Sequence, residues 1–310
     1  MHQPLTAREM NKVQLYIDET KGKDFFIHAC IFSNPNNCIA FENDIKNLII
    51  ENRNIVGKDF KGFHARDLNK KNWNKLSPIY ERIIQLIFIN SLDIHIYLES
   101  KNKYDKNSKT LRNWLKNNLE DTDNKNKVRQ TFYDIAPKDF PVLYNRFDML
   151  YIFLIHKNKF CENCEFEIYP DSSGKVLDYK QEKIEFTHSS QKIRKSLNFY
   201  DSFHILANAF IETFDEIGLT PNNNQKVTKF SPTNDIDCFL IQACDILANF
   251  TYHHLNFIFG NNNPNSKLKS ELYSRYIPIK KDNEILRDSF SILNGELHCI
   301  NKDMKININK

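Results

Sequence analysis

The stretch from Asp237 to Phe257 constrains the fold more than any other. Phe239, Leu240, Ile241, Ala243, Cys244, Ile246, Leu247, Ala248 and Phe250 cover most of a helical circumference, so this helix has to be buried on most of its sides. Gln242, Asp245 and Asn249 fall at i, i+3 and i+7, a single polar stripe on an otherwise apolar cylinder. Burying Asp245 without a partner would cost on the order of several kcal/mol. The carboxylate therefore needs a cation, a donor network or a metal, and the plainer alternative is a structural Asp bonded to loop amides.

A second constraint lies near the start of the chain. Val13, Leu15 and Ile17 alternate with Gln14 and Tyr16, the period-two pattern of a strand, and the run ends on two adjacent carboxylates, Asp18 and Glu19. In a strand these two point to opposite faces. Phe166-Glu167-Ile168-Tyr169 reads as another strand, closed by Pro170-Asp171-Ser172-Ser173-Gly174, and strand ends in α/β sheets are where ligand sites collect. Asp18 and Asp171 at two strand ends, with Asp245 from a helix above, would make an oxygen-only cluster suited to Mg²⁺ or Mn²⁺.

Between these points the chain reads as an α/β protein. The strand ending at Asp18, the run Phe25 to Phe32 and the short run Cys38 to Phe41 are separated by two turn signals, so a three-strand antiparallel meander is expected. Helices are expected over Asn43 to Asn52 and Trp73 to Asn90, then a strand over Leu92 to Leu98. A Lys- and Asn-rich insertion occupies about 100–135, Phe140 to Lys157 reads as a buried helix, and Lys175 to Phe214 as helical. Val227 to Phe230 is a short strand. The domain is expected to span 1–260, with 261–310 as an appendage that holds a hairpin over Glu296 to Asn307.

Composition excludes several classes. No apolar run approaches the roughly 18 residues that cross a membrane, and Met1 to Asn11 lacks a signal peptide's apolar core, so a cytoplasmic protein is expected. The seven Cys lie mostly in apolar runs and read as reduced core residues. With 43 Lys+Arg against 39 Asp+Glu, the net charge of +4 permits a nucleic-acid partner without demanding one.

Some motifs fail on inspection. Ser172-Ser173-Gly174-Lys175 lacks the leading Gly of a phosphate-binding loop. Cys161 and Cys164 have no second pair at zinc-finger spacing, and the adjacent His253 and His254 splay around a helix. His64 and Arg66 are different: Phe63 and Leu68 anchor their loop and leave both free to act. Lys175, at a helix start, is placed to meet a phosphate.

Tyr16-Ile17-Asp18-Glu19-Thr20, His64-Ala65-Arg66-Asp67-Leu68, Asp171 after a strand, and Ile241-Gln242-Ala243-Cys244-Asp245-Ile246-Leu247-Ala248 together resemble a bacterial domain-of-unknown-function family. Its members open on Tyr-Ile-Asp-Glu-Ser-Gly and close on Leu-Gln-Leu-Ala-Asp-Leu-Leu-Ala-Gly. Thr20 and Lys21 replace Ser and Gly here, and Asn249 replaces the final Gly. The resemblance implies a ribonuclease-H-like mixed sheet flanked by helices, carrying a two-metal phosphodiesterase site. Asp18 would bridge the metals, Asp171 and Asp245 would complete their shells, and Glu19 or His64 would serve as outer ligand or proton carrier. Glu99 is a reserve acid, Gln242 and Asn249 support Asp245, and Lys175 and Arg66 contact phosphates. The expected activity is metal-dependent hydrolysis of DNA or RNA, within a bacterial defence or toxin system. The rival is a non-catalytic nucleic-acid- or protein-binding module on the same scaffold.

Overall fold

The computed structural model describes residues 11–22, 25–57, 60, 62–100, 164–171, 185–188, 191–194, 225–231, 233–260, 263–277, 289–293 and 296–299. In chain order its elements are β1 (Asn11–Lys21), β2 (Phe25–Ser33), α1 (Pro35–Glu51), α2 (Arg53–Val56), α3 (Trp73–Ile89), β3 (Asp93–Ser100), β4 (Cys164–Pro170), β5 (Glu185–His188), β6 (Gln191–Arg194), β7 (Gln225–Phe230), α4 (Phe239–Ile258), α5 (Pro264–Tyr273), β8 (Ser289–Leu293) and β9 (Glu296–Cys299). Short 3-10 turns at Ala65–Asp67 and Asp235–Asp237 precede α3 and α4.

The alternating run that ends at Asp18 forms an interior strand of the sheet, whose order is β7-β4-β1-β2-β3-β8-β9. β1, β2 and β3 make an antiparallel meander, while β4 and β7 continue the sheet parallel to β1. An antiparallel meander joined to parallel strands, with helices packed on it, is the ribonuclease-H-like arrangement. Residues in register share a face, so Tyr16 and Asp18 of β1 lie on the same side as Ala29 and Ile31 of β2 and Ile94 and Ile96 of β3. That side carries the main core, shared with α1, α3, α4 and α5. Leu15, Ile17, Cys30, Phe32, Tyr97, Phe166 and Ile168 on the other side are buried as well, as near-continuous apolar runs in a doubly covered sheet must be.

The meander differs from its expected form in its third strand. Cys38 to Phe41 belongs to α1, and β3 takes the strand's place after two longer helices. Asn34 explains the difference: its side chain accepts the Asn37 N–H at 3.0 Å, and Pro35 occupies the first helical turn. Asn-Pro thus opens a helix rather than a turn between strands. Buried Cys38, Phe41, Ile45 and Leu48 then form its inner stripe.

Other boundaries shift too. Part of the span read as helical from Lys175 is the antiparallel pair β5–β6, where Glu185-Phe186-Thr187-His188 alternates with period two. The C-terminal hairpin sits earlier than expected, with Leu293 paired to Glu296, and the Asn294-Gly295 between them is a sequence that two-residue hairpins favour. Beyond residue 260, β8 hydrogen-bonds to β3, and α5 buries Leu272 and Tyr273 in the main core. The insertion near 100–135 and the expected helix Phe140 to Lys157 lie outside the described residues. No helix among the described residues is long and apolar enough to cross a membrane.

Four buried cysteines, Cys30, Cys38, Cys238 and Cys244, are free thiols, as expected for core residues. Cys164 departs from that reading, because it is disulfide-bonded.

Candidate functional site

Register brings the first two acids together. Ile17 of β1 faces Pro170 of β4, so the next residues, Asp18 and Asp171, lie side by side on adjacent parallel strands. The Asp171 N–H donates to Ile17 O at 2.8 Å, and the Thr233 N–H to Pro170 O at 2.9 Å, which holds the end of β4 from both edges. Both carboxylates leave the sheet on the face covered by α4.

α4 is placed by its surroundings rather than by its own first residue. Cys238 supplies no side-chain cap, and Glu42 of α1 takes over, its Oε1 accepting the Leu240 N–H at 3.1 Å and the Cys238 Sγ at 3.6 Å. A carboxylate at a helix N-terminus also complements the helix dipole. The Cys244 thiol donates to Tyr16 O at 3.1 Å, seating the helix on β1 two residues before Asp18.

The charge of Asp245 then reaches Asp18. Burial pushes the Asp18 carboxyl well above the usual carboxylate range, and the charges of Asp245, Glu19 and Asp171 push it further, against the Glu19 N–H that donates to Asp18 Oδ1 at 2.6 Å. The Asp245 carboxyl is also raised, chiefly by burial. The Ala65 N–H and the charges of His64 and Lys269 hold it down, while Asp235 opposes them. Acids gathered around Asp18 in this way cannot all ionise cheaply without a cation nearby.

The polar stripe of α4 clasps the loop that carries His64. Gln242 Oε1 accepts the Phe63 N–H at 2.8 Å, and Asp245 Oδ2 accepts the Ala65 N–H at 2.8 Å. Lys269 of α5, only 3% exposed, donates to Ala65 O at 2.7 Å and to Asn249 Oδ1 at 2.8 Å. Both ends of the Ala65 residue are thus gripped by opposite charges. Burial lowers the Lys269 ammonium to about 8, and the nearby carboxylates of Asp245 and Asp67 work against that shift. Gly62 makes the close approach feasible: it has φ +152°, and a Cβ there would run into the Gln242 amide.

The residues expected at the site divide accordingly. The charges of Asp171 and Asp245 both act on Asp18, and Gln242 and Asn249 flank Asp245 by holding the loop and Lys269. Glu19 is half-buried and starts from the opposite face of β1. His64 pairs with Asp235, with Nδ1 3.4 Å from Oδ2. Arg66 is exposed. Glu99 stands in register with Phe26, away from Ala29, the partner of Asp18. Lys175 lies outside the described residues. His253 and His254 dock α5, their Nδ1 atoms each 2.9 Å from the hydroxyls of Ser266 and Ser270.

The donor set is oxygen-only, largely buried and self-repelling, which fits a hard divalent cation better than a soft one. Among the described residues, no three His, Cys, Asp or Glu side chains are gathered as a ready chelate. One oxygen each of Asp18 and Asp245 is taken by a backbone N–H, which leaves the second oxygen of each to serve as a ligand. Sequence reasoning missed Lys269 and Asp235, although the Asp235-Ile236-Asp237 run just before α4 was a visible signal. No protein-family model matches the chain, and no curated protein matches it.

Proposed function

We propose that this chain is a divalent-metal-dependent nuclease that hydrolyses phosphodiester bonds of DNA or RNA, on the pattern of the Tyr-Ile-Asp-Glu-Ser-Gly family it resembles. The observation that carries the reading is that Asp18 and Asp171 each follow the paired residues Ile17 and Pro170 of adjacent parallel strands, with the charge of Asp245 acting on Asp18. Asp18, Asp171 and Asp245 would hold Mg²⁺ or Mn²⁺. Such ions, when bound, supply Lewis acidity toward water and the leaving oxygen. The chain's own part is to fix the carboxylates: β-sheet hydrogen bonds set Asp171, the Glu19 N–H orients Asp18, and the Ala65 N–H orients Asp245. Glu19 or His64 would be the outer group that carries protons.

The Asp245–Ala65 bond favours the rival reading, a binding module in which the acid is a structural acceptor for a loop amide. Titration with Mn²⁺ and Mg²⁺ under thermal melting separates the two. A metal site stabilises the fold by an amount that grows with free metal concentration above its Kd. The nuclease reading requires that rise, together with metal-dependent cleavage of single- or double-stranded oligonucleotides. A flat melting temperature and intact oligonucleotides would leave the binding module.

A further inference from the structure

Beside the carboxylate cluster, His64 and Asp235 face each other from two different loops. We propose that they act as a dyad in the hydrolysis, His64 delivering a proton to the sugar oxygen that leaves and Asp235 serving as the positioning residue for its imidazole. The inference rests on the nuclease reading above.

Four observations place the pair. His64 immediately precedes Ala65, whose N–H is bonded to Asp245, so the imidazole is tethered to the edge of the carboxylate cluster. Its backbone carbonyl accepts the Tyr80 hydroxyl at 2.7 Å, which fixes the loop from beneath. Gln242 spans both loops, accepting the Phe63 N–H through Oε1 and donating through Nε2 to Asp235 O at 2.6 Å. One amide of α4 therefore sets the separation between the residues. The side chains of His64 and Asp235 are 24% and 26% exposed, open enough to meet a substrate and buried enough to keep one arrangement.

The neighbouring groups are less suited. Lys269 spends two donors on Ala65 and Asn249 and is almost wholly buried. Glu19 starts from the opposite face of β1. In the proposed step the water oxygen bonds to phosphorus as the bond from phosphorus to the leaving sugar oxygen breaks. The electron pair of that bond goes to the sugar oxygen, which takes the proton from His64 Nε2, and the attacking water's proton passes to solvent. Nδ1 stays beside Asp235 Oδ2, and Nε2 regains its proton from solvent.

The test compares an oligonucleotide with its analogue in which sulfur replaces the leaving sugar oxygen, both with Mn²⁺. A thiolate leaves without a proton, so an acid should matter only for oxygen. His64→Gln is expected to slow the oxygen substrate about 100-fold or more but the sulfur analogue by less than about tenfold, and Asp235→Asn to show the same pattern with a smaller loss. In parallel, the ¹⁵N resonance of His64 Nδ1 should move in Asp235→Asn while the melting temperature stays near that of the parent. Equal losses on both substrates, or an unmoved Nδ1 resonance, would overturn the dyad. Should the parent chain cleave neither substrate with Mn²⁺, the nuclease reading itself falls, and the dyad with it.

Discussion

The Asp245 carboxylate acts on the stability of the fold in two opposite directions. One oxygen accepts the Ala65 N–H, a contribution that an amide can largely keep; the charge, close to Asp18 and only partly offset by His64 and Lys269, opposes folding when no metal is bound. Asp245→Asn should therefore raise the metal-free stability by about 1–2 kcal/mol and remove most of the Mn²⁺-induced rise. Urea melts with and without metal read both quantities, and a fall in metal-free stability would make Asp245 a purely structural acceptor. Asp18, Asp171 and Asp245 could be picked out of the sequence because each is an acid set against an apolar run. Lys269 could not, because it sits in a short polar helix and gains its role only when α5 folds back onto α4. Asp235 likewise becomes notable only once Gln242 has joined its loop to that of His64.

At the scale of elements, the stripe on α4 was readable from spacing alone, but its partner was not. Gln242 and Asp245 bond directly to the loop from Gly62 to Leu68, a segment whose few apolar residues say little about where it docks, and Asn249 reaches it through Lys269. Gly62→Ala tests that docking, since it adds both a strained backbone and a collision with the Gln242 amide. It should cost about 1–3 kcal/mol. Gly57→Ala is the control, with φ +93° but nothing within 4 Å of the added Cβ; equal losses in urea melts would mean that the Gln242 contact contributes nothing. α5 closes the clasp from the other side through Lys269. Its ammonium is lowered from 10.5 to about 8, so across that window the unfolded chain holds a proton that the folded chain has released. Stability from this group therefore rises with pH from about 8 to about 10.5, by up to about 3 kcal/mol. Lys269→Met should lose that slope, and parallel stability curves for variant and parent over this range would show that the ammonium is not strained by burial. The misread start of α1 has a local cause, since Asn-Pro serves equally as a turn and as a helix cap until the inner stripe from Cys38 is weighed.

At the scale of the whole molecule, strand identity was legible from alternation, but strand order was not, because pairing such as β1 with β4 joins residues more than 150 positions apart. The same blindness hid the role of α5. A polar Asn-rich stretch after Gly260 looks like a linker in sequence, yet α5 follows it directly and returns to the core. Thr251 donates to the Tyr273 hydroxyl at 2.7 Å, both groups being fully buried, and Leu272 and Ile277 fill the space beside α4. Each large apolar side chain withdrawn from water contributes about 1.5–3 kcal/mol, against a total stability of about 5–15 kcal/mol for a typical domain. Ending the chain after Gly260 removes three such side chains, the two serines that dock His253 and His254, the Lys269 clasp on Ala65, and the strand that pairs with β3. The shortened chain should therefore lose its cooperative thermal transition and expose the apolar surface of α4, read as a broad calorimetric trace and strong binding of a hydrophobic dye. A sharp transition near the parent's melting temperature would show instead that residues 1–260 fold independently and that α5 is packed onto a finished domain.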